Sequence, residues 1–358
     1  MTDTRPIIAI SMGDPAGIGP EIIAAAMARP QVHQLCRPLV VGDAGIMRAA
    51  TGYAHVSLGV RSISDVADAK FDPQTIDVYD QKTIDLSKFK LSTVSAMAGN
   101  AAFQAVKGVI ELAMAGKVDA TVTAPIHKEA LVAAGHHFPG HTEIFGHFTG
   151  TKDFTMMLAA ENFRVVHVST HVSLRKACDA VQRPRVLRVI QLAHSACKQL
   201  GIANPKIGVA GLNPHASDGG LFGTEEVEHI IPAINDARAM GMDIEGPQPP
   251  DTFYAKAVAG AYDICVAMYH DQGHIPVKIR GFHYNAAKKT WDSVKGINVS
   301  LGMPIIRASV DHGTAFDQAG KGTASDASLL DALEYATRLA KNRPSKPVPA
   351  PLAGVGNA

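Results

Sequence analysis

Short apolar runs alternate with longer stretches of helical periodicity along this chain of 358 residues. Segments such as 6–11, 120–123 and 206–210 have the length and the aliphatic composition of buried strands. Strands that alternate with helices predict a mixed α/β fold in which at least part of the sheet is parallel. The same pattern predicts further strands at 37–41, 154–159, 164–169 and 263–268, and helices at 20–27, 94–115, 183–200, 224–240 and 325–341.

The composition is typical of a globular protein and gives no electrostatic reason to expect a nucleic-acid or membrane partner. Hydrophobic residues make up 46% of the chain, charged residues make up 19%, and the formal net charge is +1. No apolar run approaches the roughly 20 residues that span a bilayer. The cysteines at 36, 178, 197 and 265 form no C-x-x-C motif, so we expect reduced thiols and a cytoplasmic protein.

Three of the 16 histidines follow predicted strands. The run RVVHVST leads into His171, KIGVAGLNP leads into His215, and DICVAMY leads into His270. Ligands of α/β proteins bind beyond the carboxyl ends of the strands, and imidazole is a common ligand of zinc and other first-row metals. The histidines therefore indicate either a shared divalent metal site or three unrelated loop-capping residues, and the residues alone do not decide between these.

Other polar residues suggest anion binding. The glycine-rich turn GDPAGIGPE at 13–21 could hold an anion on its backbone N–H groups, although it does not match a Rossmann or P-loop motif. Lys278 and Arg307 could bind a phosphate or a carboxylate by charge-assisted hydrogen bonds, and Asn298 lies between them in the chain. Asp251 is a candidate acid–base residue or a helix N-cap.

His274 follows His270 by four residues, which is the spacing of one helix face. Gly273 lies between the two histidines and Pro276 follows them, and both residue types disfavour a helix interior. We therefore expect that the two histidines do not share a helix face.

Eight motifs, in order along residues 8–340, resemble the 4-hydroxythreonine-4-phosphate dehydrogenase family of vitamin B6 biosynthesis. They are SMGDPAGIGPEI, TAPIHK, FPGHTE, STHVSLR, GLNPHASDGG, PPDTF, MYHDQG and SVDHGTAFDQAGKG. The resemblance implies a two-lobed fold like that of isocitrate and isopropylmalate dehydrogenases, which bind a dinucleotide without a Rossmann fingerprint. One α/β lobe would then comprise 1–128 and 302–341 with the cofactor loop. The other would comprise 129–301 with the metal ligands and dimer contacts, and 342–358 would be a flexible tail.

The resemblance also implies the roles of individual residues. His171, His215 and His270 would bind the metal, and Asp251 and Lys278 would be catalytic. The substrate would contact His141, Thr142, Lys278, Asn298 and Arg307. The cofactor, NAD or alternatively NADP, would lie against His312, Gly313, Thr314, Asp317 and Gly320.

The implied activity is an NAD- and metal-dependent oxidation and decarboxylation of a 4-phosphorylated hydroxy acid. The resemblance implies a homodimer whose metal site takes ligands from both subunits, with zinc as the expected ion and magnesium or manganese as alternatives. The segment FHYNAAKKTWDSVK at 282–295 and the sequence HDQGHIPVK are more similar to a branch of the family that acts on 4-phosphorylated D-threonate or D-erythronate. The segment could alter the non-phosphate end of the substrate site or be a surface hairpin. A non-redox metal-dependent hydrolase or lyase stays open as an alternative from another class.

Overall fold

The computed structural model describes residues 3–287 and 289–343, and for residues 290–294 it describes the backbone. The chain forms two compact units. One comprises the residues up to Lys152 together with those from Met303 onward, and the other is Asp153–Gly302. Residues 129–152 thus belong to the first unit by their contacts, whereas the sequence analysis assigned them to the second lobe. Most of the predicted tail, residues 344–358, lies outside the described residues.

Both units are built from strands and helices in the alternating order that the sequence predicts. The strands are β1 (Ile7–Ser11), β2 (Arg37–Gly42), β3 (Gly59–Ile63), β4 (Thr75–Asp80), β5 (Ala120–Thr123), β6 (Thr155–Ala160), β7 (Phe163–His167), β8 (Lys206–Ala210), β9 (Asp243–Gln248), β10 (Ile264–Ala267), β11 (Phe282–Asn285), β12 (Thr290–Val294), β13 (Ile297–Leu301) and β14 (Arg307–Val310). The α-helices are α1 (Gly19–Met27), α2 (Pro30–Leu35), α3 (Ala44–Tyr53), α4 (Ala96–Met114), α5 (Lys128–Ala133), α6 (His141–Thr149), α7 (Leu174–Asp179), α8 (Arg183–Gln199), α9 (Ile231–Ala239), α10 (Pro250–Val258), α11 (His270–Gly281) and α12 (Ala327–Lys341). Short 3-10 or π turns occur at Val66–Asp68, Pro214–Gly220 and Glu226–Ile230.

The first unit contains six parallel strands in the order β3-β4-β2-β1-β5-β14. Its long helix α4 contacts β1, β2 and β5, and α12 contacts β5 and β14. Because helices cover the central strands, β1 and β5 are buried along almost their whole length, as is usual for parallel sheets. Ser95 caps α4 by accepting a hydrogen bond from the Ala98 N–H at 3.1 Å.

The second unit contains the strands β13-β6-β7-β10-β8-β9. The pairs from β7 to β9 are parallel, whereas β6 is antiparallel to both of its neighbours. Helices α8 and α11 contact β6, β7 and β10 of this sheet. Strands β11 and β12 pair antiparallel as a separate two-stranded sheet. This pairing is compatible with both interpretations of the segment 282–295, whose role stays a prediction.

The predicted α-helix at 224–240 is interrupted by the π turn Glu226–Ile230 before α9 begins. Strands β3, β4, β9, β13 and β14 were not predicted, because their short sequences lack a long apolar run. No helix among the described residues is both long enough and apolar enough to cross a membrane. All four cysteines are free.

Candidate functional site

The three histidines predicted to bind a metal follow three neighbouring strands. Strands β7, β10 and β8 are adjacent and mutually parallel, so their carboxyl ends lie at one edge of the sheet. His171, His215 and His270 come three to five residues after the ends of these strands. The three segments that carry these histidines therefore begin at the same edge of the sheet, as the sequence predicts. The metal role of the histidines stays a prediction.

Two of the three imidazole rings lie near each other. The ring centroids of His171 and His270 are 5.8 Å apart. Two imidazoles bound to one ion through bonds of about 2.1 Å have centroids about 4.5–6.5 Å apart. Asp271 also accepts a hydrogen bond from His270 Nδ1 at 2.7 Å, which leaves Nε2 as the nitrogen that could bind a metal. These residues fit a divalent metal in their chemistry and their spacing.

His215 lies in a strained turn. Residues 215–219 have φ between 45° and 73°, so five consecutive residues are left-handed, and four of them are not glycine. The ring of His215 faces Phe222 at a centroid distance of 6.2 Å. In the described ranges of a single chain, 3–287 and 289–343, no group of three or more histidine, cysteine or carboxylate side chains is arranged to hold a metal ion. A single chain therefore brings His171 and His270 together without His215.

Glu226 holds the beginning of this turn. It is fully buried, and its Oε1 accepts hydrogen bonds from the backbone N–H groups of Leu212 and Asn213, both at 2.7 Å. Its Oε2 accepts a bond from the Asn213 side chain at 2.8 Å. The sequence offered no local signal for this role, because Glu226 lies more than ten residues after the groups that it binds.

Helix α11 corrects the expectation about His270 and His274. The helix runs through both Gly273 and Pro276, and the two imidazoles stack at a centroid distance of 3.5 Å with an interplanar angle of 12°. Gly273 allows α11 to lie close to β7, since a Cβ at this position would lie 2.3 Å from His167 Nε2 on that strand. Burial against the sheet outweighs the unfavourable effect of proline and glycine on an isolated helix.

The stacked histidine is held in its neutral form. Burial, and then the neighbouring His270, lower the pKa of His274 to about 4. Its Nδ1 lies 2.9 Å from the His270 carbonyl, to which it donates a hydrogen bond. Lys278 follows one turn later on the same helix face, and its Nζ lies 4.2 Å from the centroid of the Phe282 ring. His274 was not among the predicted site residues, because Gly273 and Pro276 disfavour the helix that brings it to His270.

In the first unit, a buried guanidinium is surrounded by hydroxyl groups. Arg307 is 2% exposed and donates hydrogen bonds of 3.2 Å to the hydroxyls of Thr123 and Thr142. It also lies 5.3 Å from the centroid of the Phe145 ring. Burial lowers the pKa of Arg307 to about 10, while the negative charge of Glu143 acts in the opposite direction, so the group is protonated at neutral pH. A buried cation beside hydroxyl groups is suited to bind a phosphate or a carboxylate.

His141 adds a neutral imidazole to this group and begins helix α6. Burial, and then the charge of Arg307, hold the pKa of His141 well below its usual range. Its Nε2 is buried and has no hydrogen-bond partner in the part of the chain that the structure describes. Three predicted substrate residues, His141, Thr142 and Arg307, thus form one cluster with Thr123, which the sequence analysis did not single out although it ends a predicted strand.

The predicted cofactor loop 312–320 packs on the glycine-rich turn at 13–21. Its Thr314 carbonyl accepts a hydrogen bond from the Ile18 N–H at 3.0 Å, and its Gly320 N–H donates to Glu21 Oε2 at 2.8 Å. Gly17 is required here, since a Cβ would lie 2.8 Å from the Thr314 carbonyl oxygen. Glu21, in the first turn of α1, therefore anchors this loop.

The glycine-rich turn is not the anion cradle that the sequence suggested. The N–H groups of Asp14, Ala16 and Gly17 already donate to oxygen atoms within the first unit. Asp14 is fully buried, and burial raises its pKa to about 6. A buried carboxyl group at this place opposes an anionic ligand.

The remaining predicted residues lie on separate elements of the two units. Asp251 is exposed in the first turn of α10, and Asn298 lies on β13 with its Nδ2 against the sulfur of Met156. In the cofactor loop, Asp317 accepts a hydrogen bond from Gln318 Nε2 at 2.8 Å, and His312 Nδ1 lies 3.1 Å from the Gly313 carbonyl. Their functional roles stay predictions.

The profile of a family described as "Pyridoxal phosphate biosynthetic protein PdxA" matches residues 34–336. This chain belongs to the PdxA family. The resemblance to this family and the α/β fold class are thereby confirmed.

Relatives in the PdxA family match nearly the whole chain. The D-threonate 4-phosphate dehydrogenase of Cupriavidus necator is 46% identical over 96% of this chain and 100% of its own length. A 4-hydroxythreonine-4-phosphate dehydrogenase structure from Klebsiella pneumoniae is 41% identical with a TM-score of 0.82, covering 95% of this chain and 99% of its own. The corresponding structure from Burkholderia phymatum is 43% identical with a TM-score of 0.80, covering 94% and 99%. The PdxA-family chain is therefore an oxidoreductase that acts on a CH–OH group.

Proposed function

We propose that this PdxA-family protein catalyses the NAD-dependent oxidation of a four-carbon, 4-phosphorylated hydroxy acid, which then loses carbon dioxide. The observation that carries the proposal is the buried cation Arg307 with the hydroxyls of Thr123 and Thr142 at 3.2 Å. Such a group recognises an anionic end of a substrate, and the relatives that match this chain are named for phosphorylated substrates.

D-Threonate 4-phosphate is the proposed substrate, and 4-phosphohydroxythreonine is the alternative. The Cupriavidus relative named for the first compound has the higher identity, 46%, against 41–43% for the two structures named for the second. The two compounds share a carboxylate, a hydroxyl at carbon 3 and a phosphate, and they differ at carbon 2, which carries a hydroxyl or an amino group. Oxidation at carbon 3 removes a hydride and a proton from the CH–OH group. The resulting β-keto acid loses its carboxylate as carbon dioxide, and the enolate that remains takes up a proton at carbon 2.

His171, His215 and His270 are the proposed metal ligands, with zinc as the expected ion and magnesium or manganese as alternatives. Support comes from the spacing of the His171 and His270 rings and from the bond that orients His270. When bound, a divalent metal acidifies the hydroxyl to be oxidised and stabilises negative charge on the oxygen. The loop 312–320 would hold NAD, with NADP as the alternative, and the cofactor would supply the hydride acceptor.

Other residues of the chain are proposed to bind or to transfer a proton. Arg307 and Thr142 bind an anionic end of the substrate, and the neutral His141 accepts a hydrogen bond through Nε2. Asp251 accepts the hydroxyl proton, and the ammonium group of Lys278 faces substrate charge. Asn298 is the remaining proposed substrate contact.

The protein is proposed to act as a homodimer whose metal site is shared. Exposed apolar side chains occur on the segments that carry the three histidines: Val172 beside His171, Leu221 and Phe222 after the strained turn, and Ile275 and Ile279 on α11. Ile275 and Ile279 are 55% and 72% exposed and share a helix face, which suits contact with a second subunit. Light scattering should show a dimer that Ile275→Asp with Ile279→Asp dissociates, whereas a wild-type monomer would contradict this part of the proposal.

The decisive experiment is a screen for NAD reduction by near-ultraviolet absorbance with D-threonate 4-phosphate, D-erythronate 4-phosphate and 4-phosphohydroxythreonine. We expect turnover that a chelator abolishes and that added divalent metal restores. His215→Ala should lose both metal binding and turnover while the circular dichroism spectrum is unchanged. Substrate consumption without NAD reduction would instead establish a non-redox hydrolase or lyase.

A further inference from the structure

One buried side-chain amide joins two of the segments that carry the proposed metal ligands. Gln272 is 8% exposed, its Oε1 accepts a hydrogen bond from the Met268 N–H at 2.7 Å, and its Nε2 donates to the Gly211 carbonyl at 2.7 Å. Met268 lies two residues before His270, and Gly211 lies four residues before His215. The amide therefore connects the end of β10 to the end of β8.

The segment that carries His171 is hydrogen-bonded to the backbone of Met268. The Ser169 hydroxyl donates to the Met268 carbonyl at 3.2 Å, and Ser169 lies two residues before His171. Both polar backbone atoms of Met268 are thus bonded to side chains, one from its own segment and one from the segment of His171. Met268 therefore binds the segment of His171 directly and is joined to the segment of His215 through the side chain of Gln272.

The hydrogen bond from Gln272 to the Gly211 carbonyl is important for the position of His215, because the chain that follows Gly211 is strained. The left-handed residues 215–219 begin four residues later, and this conformation is unfavourable for non-glycine residues. Glu226 fixes the N–H groups of Leu212 and Asn213. The carbonyl of Gly211 is fixed by Gln272.

We propose that Gln272 is a positioning residue that fixes the segments of His215 and His270 and thereby sets the affinity for a divalent metal. Metal–ligand distances tolerate deviations of only about 0.2 Å, so a small shift of either segment weakens binding. The primary amide of Gln272 accepts from an N–H with its oxygen and donates to a carbonyl with its nitrogen, so one neutral side chain satisfies both backbone partners. The inference rests on the proposed metal role of these histidines and holds whichever subunit completes each metal site.

The test compares three full-length variants after removal of metal with a chelator. Gln272→Met keeps the volume and removes both bonds, and Gln272→Glu keeps the acceptor but turns the donor to the Gly211 carbonyl into an acceptor. Gln182→Met is the matched control, because Gln182 is exposed and donates its amide to the Asp179 carbonyl at 3.2 Å. Affinities for Zn²⁺ and Co²⁺ are measured by competition with a chromophoric chelator, and the visible spectrum of bound Co²⁺ reports the geometry of the site.

We expect Gln272→Met to weaken metal affinity by about 10- to 100-fold, as is usual for residues that orient metal ligands, and Gln272→Glu to weaken it further. Excess metal should restore the kcat of Gln272→Met, and the control should match the wild type. Wild-type affinity and a wild-type Co²⁺ spectrum in Gln272→Met would overturn the inference, even if its unfolding temperature fell. A wild-type protein that binds no metal would instead refute the proposed function, so the two failures are distinguishable.

Discussion

Replacing Arg307 by methionine should change the unfolding free energy of the ligand-free protein only slightly. The same replacement should abolish the stabilisation of the protein by phosphate. Burial lowers the pKa of Arg307 to about 10, so the folded state disfavours the charged form. Below pH 10 this effect is fully present, and it corresponds to about 3 kcal/mol of unfolding free energy. Methionine removes that term but also the hydrogen bonds to Thr123 and Thr142, which contribute about 1 kcal/mol each. The net change should therefore lie within about 1–2 kcal/mol of zero.

The same variant should lose affinity for anions. At one hundred times its Kd, inorganic phosphate should stabilise the wild type by about 2.7 kcal/mol, and it should not stabilise Arg307→Met. For a phosphorylated substrate, the loss of two charge-assisted hydrogen bonds should lower kcat/KM by about 10²- to 10⁴-fold. Arg307→Lys keeps the positive charge but lacks the planar pair of donors. Its phosphate affinity and its kcat/KM should lie between those of the wild type and those of Arg307→Met.

Denaturant unfolding at pH 7.5, with and without phosphate, measures the first effect. Steady-state kinetics with a substrate and its dephosphorylated form measure the second effect. The ratio of kcat/KM between variant and wild type should be far below 1 for the phosphorylated form and should rise towards 1 for the dephosphorylated form. An Arg307→Met protein destabilised by more than about 3 kcal/mol that still responds to phosphate like the wild type would refute this reasoning, because Arg307 would then be a structural residue.

Three further predictions concern other parts of the chain. Burial raises the pKa of Asp14 to about 6, so the ionisation of this carboxyl group opposes folding above pH 6 and has no effect below about pH 4. Asp14→Asn should therefore raise the unfolding free energy by about 1–3 kcal/mol at pH 8. The same denaturant titration at pH 4 should show no change. Glu21→Ala releases the cofactor loop and should raise the KM for NAD about tenfold or more without altering Zn²⁺ affinity, and an unchanged KM would separate Glu21 from cofactor binding. Asp271→Ala should lower Zn²⁺ affinity about 10- to 100-fold in chelator competition, whereas equal affinity would show that His270 needs no orienting carboxylate.

The sequence predicted the features that depend on local pattern. Strands β1, β5, β7, β8 and β10 were found because each is a short aliphatic run, and their parallel pairing follows from the helices between them. This placed the segments of the three proposed metal ligands correctly. The proline and glycine of α11 gave a wrong result, since packing of the helix on β7 overrides local propensity.

Features that depend on contacts between distant residues could not be predicted. Glu21 binds a loop about 300 positions later, and Gln272 binds a carbonyl 61 positions earlier. The sequence around each of these two residues is that of an ordinary helix and gives no sign of the distant contact. Arg307 was identified as a cation, but its burial and its contact with Thr123 depend on the pairing of β14 with β5, and β14 was not predicted.

The strained turn at His215 indicates that the protein, rather than the metal, shapes this part of the site. Four non-glycine residues in left-handed conformation cost about 4–8 kcal/mol in total. Glu226 accepts three charge-assisted hydrogen bonds from the preceding residues, which contribute about 5–9 kcal/mol. Because the two quantities are similar, the turn can persist before a metal binds. Metal removal should therefore leave the circular dichroism spectrum and the protection of the Leu212 and Asn213 amides from hydrogen exchange unchanged. Glu226→Met removes the acceptor oxygen of both N–H groups and should expose both amides even in the presence of Zn²⁺.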